Sequence, residues 1–175
     1  DEKTVVFNSF NGKTYGCSPK AVYEYMLTQD ESKDWTFIWA FKNAKKHRFL
    51  EENPNTIVVK QTERVYERKL IRAKYWITNY RVPDHVWPQK DQVYVQCWHG
   101  TPLKRLGYDL ETSENAIDSI ADIRKKYAMD AEKFNYILSP SGFASEKFTS
   151  AWNLKETKME DKVMEIGYPR NDFLI

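Results

Sequence analysis

The densest run of reactive side chains is Gln96-Cys97-Trp98-His99-Gly100-Thr101-Pro102-Leu103-Lys104, which puts an imidazole, a small flexible residue, a hydroxyl and a cation within six residues. That set suits phosphoryl transfer to an alcohol. An uncharged imidazole can take the hydroxyl proton, while an ammonium group and nearby backbone N–H groups hold phosphate oxygens. On residue type alone the bland alternative stays open, since a single histidine at a strand end more often makes a structural hydrogen bond than acts as a base.

What gives the run its interest is the element before it. Gln92–Trp98 is the most strand-like stretch of the chain, with Val93, Val95 and Cys97 alternating with Tyr94 and Gln96. Short β-branched or aromatic runs alternate throughout with amphipathic, charge-laced stretches, which predicts an α/β fold, a Rossmann-like parallel sheet flanked by helices. Further strands are expected at Thr4–Phe10, Trp35–Ala40, Thr56–Lys60, Lys74–Asn79, Phe134–Ser139 and Lys162–Ile166. In open sheets of this kind ligands bind at the carboxyl ends of the strands, so the residues just after each strand are the ones to weigh.

Ser18-Pro19 offers an N-cap and a proline at the first helical position, opening a helix with Ala21, Val22, Tyr25 and Met26 on one face. A second helix over Thr62–Ala73 would turn Val65, Tyr66, Leu70 and Ile71 toward the core. A third is expected near Ser113–Tyr127 and a fourth opens at Ser141. The basic stretch ending at Glu52 reads as helix or loop, and Arg170-Asn171-Asp172 reads as the start of a helix that the chain does not complete, as expected of a fragment.

A chain of 175 residues fits one domain, and 41% hydrophobic with 30% charged residues supplies both a packed core and a charged surface. The net charge of +2 is too small for a general polyanion binder, and aromatic and basic residues do not interleave, so no nucleic-acid partner is expected. Local clusters matter more: Lys42, Lys45, Lys46, His47 and Arg48, then Lys60, Arg64, Arg68, Lys69, Arg72 and Lys74. They fit anionic lipid head groups or a phosphate-rich substrate, with a solvated helix face as the alternative. Cys17 and Cys97 are too few for a disulfide scaffold, which points to a reducing cytoplasm. No apolar stretch is long enough to span a bilayer and Asp1-Glu2-Lys3 is no signal sequence, so membrane contact is expected to be peripheral. His47 and His85 have no clustered partner and are assigned neither to metal nor to catalysis.

The run Trp98-His99-Gly100-Thr101-Pro102-Leu103-Lys104, followed by Leu106-Gly107-Tyr108-Asp109, resembles the signature of the CDP-glycerol:poly(glycerophosphate) glycerophosphotransferases that build teichoic acids. Three more segments resemble that family in the same order: Asn8-Ser9-Phe10-Asn11-Gly12-Lys13 through Cys17-Ser18-Pro19-Lys20-Ala21, then Leu138-Ser139-Pro140-Ser141, then Gly167-Tyr168-Pro169-Arg170-Asn171-Asp172. The resemblance implies one half of a GT-B architecture, in which residues 1–175 form the acceptor-side domain and a C-terminal nucleotide-binding domain lies outside this chain. It implies that His99 deprotonates the terminal hydroxyl of a lipid-linked polyol phosphate acceptor. That oxygen attacks the β-phosphorus of CDP-glycerol and expels CMP at the cytoplasmic face of a bacterial membrane. The isolated domain is then expected to be inactive. The other readings are a CDP-ribitol donor, a capsule-making GT-B glycosyltransferase, and a non-catalytic module that docks acceptor.

Under this resemblance Gly12 turns the backbone beside the cleft, unless it is a plain turn glycine. Gly100, Thr101 and Lys104 are placed on substrate phosphate, with a solvent-facing charge as the alternative for Lys104. Asp109 orients His99 or caps a helix. Ser139 and Ser141 flank Pro140 where hydroxyls and helix amides could hold phosphate, with a plain N-cap the alternative for Ser141. Arg170 lies at the expected domain junction, where interdomain structure competes with substrate contact. No cofactor is assigned. Mg²⁺ or fixed cationic side chains would neutralise the leaving charge, and no carboxylate cluster commits the chain to metal.

Overall fold

The computed structural model describes residues 1–112 and 119–174. Strand β1 (Thr4–Asn8) is followed by a 3-10 turn at Phe10–Gly12 and helix α1 (Cys17–Leu27). Strand β2 (Thr36–Phe41) leads through 3-10 turns at Ala44–Glu52 to β3 (Thr56–Lys60) and helix α2 (Glu63–Arg72). Next come β4 (Tyr75–Thr78), β5 (Val93–Gln96), helix α3 (Ile120–Lys133), β6 (Tyr136–Ser139), helix α4 (Gly142–Ala151) and β7 (Val163–Glu165), with Pro169–Leu174 in 3-10 turns. The seven strands form one sheet in the order β3-β2-β1-β4-β5-β6-β7, every pair parallel. This is a Rossmann-like α/β fold, as the alternating pattern predicts. The strand order reverses between β1 and β4, which opens a crevice at their carboxyl ends.

Central strands are apolar on both faces because helices cover both. In β1 every residue is buried, Val5 and Phe7 packing with Tyr23, Phe37 and Trp39 on one face while Val6 joins Ile38, Trp76 and Tyr94 on the other. In β5 the deeply buried pair is Tyr94 and Gln96, and Trp98 lies beyond the strand end.

The helices form where expected with shifted ends and faces. Helix α1 starts at Cys17 with Gly16 as its N-cap, so Ser18 is not the cap and its buried hydroxyl has no hydrogen-bond partner among the described residues. Its core anchor is Tyr23, whereas Tyr25 is 65% exposed. In α2, Thr62 accepts the Val65 N–H as N-cap and Tyr66 and Leu70 are buried, but Ile71 lies on the solvent side. Of the helix expected near Ser113–Tyr127, residues 113–118 lie outside the described residues. The described helix runs on to Lys133, its start set by a capping box between Ser119 and Asp122.

Near its end, α3 carries Asp130, which pairs with Arg81 at 2.6 Å, and Lys133, which donates to the carbonyls of Pro83 and Asp84 at 3.0 and 2.7 Å. Burial outweighs the Arg81 guanidinium and pushes the Asp130 carboxyl from 3.8 up to about 6. Between those values the folded protein keeps a proton that the unfolded chain has released. The stability owed to this group is therefore full below pH 4 and is lost as the pH rises through 6. Against an Asp130→Asn variant, whose loss of the Arg81 partner is a pH-independent offset, the unmodified protein should lose on the order of 3 kcal/mol between pH 4 and 7. Urea midpoints for both proteins across that range check it, and parallel pH profiles would refute it.

A candidate active site at the carboxyl ends of the strands

The loops after β1, β4 and β5 converge beside the strand-order reversal. Asn79, directly after β4, is fully buried and holds two of them. Its side-chain Oδ1 accepts the Phe10 N–H at 2.7 Å, and its backbone carbonyl accepts from His99 Nδ1 at 3.0 Å. Because a carbonyl only accepts, Nδ1 must carry the ring proton, and the neutral imidazole then presents a lone pair at Nε2. Nε2 makes no hydrogen bond among the described residues, and the His99 residue is exposed rather than packed away.

The ring is held from behind by aromatic packing. Trp98 stacks on His99 at 4.4 Å between centroids and meets Trp152 edge-on at 4.9 Å, so the imidazole is braced against the buried core. Trp98 adopts φ 49°, a left-handed conformation costly for a large residue, and its N–H is held at 2.9 Å by Oε1 of the buried Gln96. Gln96 Nε2 donates in turn to the Tyr80 carbonyl at 3.2 Å and to the Tyr94 hydroxyl at 3.0 Å, joining the β4 and β5 loops.

The loop after β1 is built with comparable constraint. Phe10, Asn11 and Gly12 are all left-handed, with φ of 48°, 55° and 73°. Gly12 is required here: a Cβ on it would lie 1.9 Å from Gln61 Oε1 and 3.1 Å from the Lys42 backbone nitrogen. The Gly12 N–H donates to Asn8 Oδ1 at 3.1 Å, and its carbonyl accepts the Lys42 N–H at 2.8 Å. Over this loop opens a pocket of about 480 Å³ lined by Phe10, Asn11, Lys13, Lys42, Tyr80 and His99.

The other residues singled out from the sequence fall in several places. Gly100, Thr101 and Lys104 border a shallower pocket of about 220 Å³ that His99 also lines. Ser139 is fully buried, taking a hydrogen bond from Ser145 at 2.8 Å and donating to the Ser141 carbonyl at 3.0 Å. Ser141 caps α4 by accepting the Ala144 N–H at 3.3 Å, and neither serine lines the His99 pockets. The Asp109 carboxylate accepts from Ser150 on α4 and does not reach His99. Arg170 turns inward: its Nη1 donates to the His99 carbonyl at 2.9 Å and to Cys17 Sγ at 3.4 Å. That contact holds the backbone of His99 and ties it to α1. Arg170→Met should therefore lower kcat by about tenfold through misplacement of the ring, with KM values little changed. Steady-state kinetics check this, and a change confined to KM would point to direct substrate contact.

Asn79 and Lys13 were given no site role by the sequence, Gln96 entered only as the start of the His99 run, and Lys42 only as part of a basic cluster fitted to a phosphate-rich substrate or lipid head groups. The signal available for Asn79 and Gln96 was a polar residue at the end of an apolar strand, where burial demands a hydrogen-bonding job. Among the described residues no three His, Cys, Asp or Glu side chains come together as a group that could hold a metal ion.

A Rossmann-like domain with an imidazole open at Nε2, set among cations at the strand-order reversal, is of the class suited to deprotonating a hydroxyl beside an anionic group. The chain belongs to the CDP-glycerol:poly(glycerophosphate) glycerophosphotransferase family, which it matches over residues 1–175. It is 33% identical over 174 residues to the teichoic acid poly(glycerol phosphate) polymerase of Bacillus spizizenii W23, covering 99% of this chain and 42% of that protein. It is 32% identical over 174 residues to the teichoic acid glycerol-phosphate transferase of Staphylococcus aureus NCTC 8325, with the same coverage of 99% and 42%. The solved structure of the wall teichoic acid polymerase TagF superposes with a TM-score of 0.84 at 35% identity, over 98% of this chain and 40% of that one. The chain thus spans about two fifths of the length of these relatives.

Proposed function

We propose that residues 1–175 are the acceptor-side domain of a GT-B transferase that moves glycerol phosphate from CDP-glycerol to a lipid-linked teichoic acid acceptor, with His99 as the base. The observation that carries the reading is the pinned imidazole: Nδ1–H is committed to the Asn79 carbonyl, which leaves the Nε2 lone pair for substrate at the mouth of the sheet. In the reaction Nε2 takes the proton of the acceptor's terminal hydroxyl as its oxygen bonds to the β-phosphorus. The bond from that phosphorus to the CMP oxygen breaks opposite, and the imidazolium afterwards releases its proton to solvent. Glycerol phosphate ends in a new phosphodiester, and CMP leaves.

The second domain, outside this chain, grips the cytidine nucleotide in this reading. The relatives support the chemistry, being named as teichoic acid polymerase and glycerol-phosphate transferase, and one related TagF structure was obtained with CDPG soaked in. Gly100, Thr101 and Lys104 border the shallower pocket beside His99, which supports a role in contacting substrate phosphate in this reading. No helix among the described residues is long and apolar enough to cross a membrane, which is compatible with peripheral contact at the cytoplasmic face of a bacterial membrane. The test is incubation of the complete polypeptide with CDP-glycerol and a lipid-linked glycerol phosphate acceptor. CMP should appear in step with new phosphodiester, whereas turnover with CDP-ribitol or a sugar nucleotide in place of CDP-glycerol would overturn the donor assignment.

A further inference from the structure

Among the described residues the His99 pocket carries two primary ammonium groups and no carboxylate. Lys13 comes from the loop after β1 and Lys42 from the residue after β2, and the lining holds neither Asp nor Glu. Among the described residues neither lysine finds an ion-pair partner, whereas Lys20, Lys33 and Lys74 elsewhere on the surface each do. Their backbones are locked together. Lys13 follows Gly12, whose carbonyl takes the Lys42 N–H at 2.8 Å, and the Lys13 N–H donates to the Phe10 carbonyl at 3.3 Å. Gly12 admits no side chain that could come between the two strand-end loops. Two ammonium groups on the lining of one pocket favour an anion there.

We propose that Lys13 and Lys42 bind the phosphate group that carries the acceptor's attacking glycerol unit. The proposal rests on the transferase reading above and specifies where its acceptor sits. A terminal glycerol phosphate has its primary hydroxyl separated from its phosphate ester oxygen by three carbons. Anchoring the phosphate on the two ammonium groups therefore leaves the hydroxyl within the same pocket as His99. The pocket then selects an acceptor that already ends in a phosphorylated polyol over a neutral alcohol, and it does so electrostatically, so the selection weakens as salt rises.

The test uses the complete polypeptide, CDP-glycerol, and two soluble lipid analogues, one ending in glycerol phosphate and the other in glycerol. Lys13→Met and Lys42→Met should each raise KM for the phosphate-bearing analogue about fivefold. The double variant should raise it about 25-fold if the two act independently. KM for CDP-glycerol should stay within about twofold, and the preference for the phosphate-bearing analogue should fall by the same factors. Lys13→Arg and Lys42→Arg, which keep the charge, should recover most of the loss. An unchanged acceptor KM in the double variant overturns the proposal, as does a rise in KM for CDP-glycerol instead, which would assign the lysines to the donor. If the lysine variants behave as stated while His99→Ala still turns over, the phosphate seat stands and the base assignment alone fails.

Discussion

His99→Ala in the complete polypeptide is expected to lower the rate of CMP release from CDP-glycerol by about 10²- to 10⁴-fold, the usual contribution of a positioned general base. The loss should fall on kcat, because the ring is assigned to the proton and not to either substrate's phosphates. Stability should change little. The ring is exposed, and its removal gives up one hydrogen bond to the Asn79 carbonyl and one stack on Trp98, on the order of 1 kcal/mol together. Coincident thermal unfolding curves beside collapsed turnover would separate chemistry from folding. His99→Gln sharpens the test, since its amide can keep the Asn79 contact yet has no lone pair basic enough to take the proton. Near-normal turnover in either variant would remove His99 from the base role.

The sheet was legible in the sequence to a useful depth, because strands covered on both faces are written as unbroken apolar runs such as Val5–Phe7 and Phe37–Phe41. Helix faces were read less well. In α2 the docked stripe is narrower than the pattern, so Leu70 is buried while Ile71 meets solvent; in α1 it is turned toward Ser18, Pro19 and Tyr23, which leaves Tyr25, about 200° around the helix from Tyr23, in solvent. His99 and Gly12 stood out by residue type and position after a strand. What holds them did not: Asn79, Gln96 and Gln61 come from three separate segments, and only the parallel pairing of β1 with β2 and β4, of β2 with β3 and of β4 with β5 brings them together. Arg170 shows the same limit. Nothing in the spacing indicates that a guanidinium at residue 170 closes on the carbonyl of residue 99.

Gly107→Ala is expected to destabilise the protein by roughly 3 kcal/mol or more, the sum of a left-handed backbone imposed on alanine and overpacking. Gly107 sits at φ 51°, and a Cβ there would lie 2.3 Å from the Ala151 carbonyl oxygen and 2.4 Å from Tyr127 Cδ1. Neither neighbour can step aside cheaply, since one is helix backbone at the end of α4 and the other a ring wedged between α3 and Trp152. For a chain of 175 residues that loss corresponds to a fall in Tm on the order of 10 °C. Gly100→Ala is the matched control: no atom lies within 4 Å of its added Cβ, so its unfolding midpoint should shift by only about a degree or two. The functional consequence should be uneven. Gly107 seats the far end of the loop bearing Thr101 and Lys104, whereas His99 is held from the Asn79 and Trp98 side. In the complete polypeptide, below the lowered Tm, Gly107→Ala should therefore keep most of its kcat while its substrate KM rises. A kcat loss as large as that of His99→Ala would instead mean that the seat of this loop, and not the pinning of the ring, sets the geometry of the base.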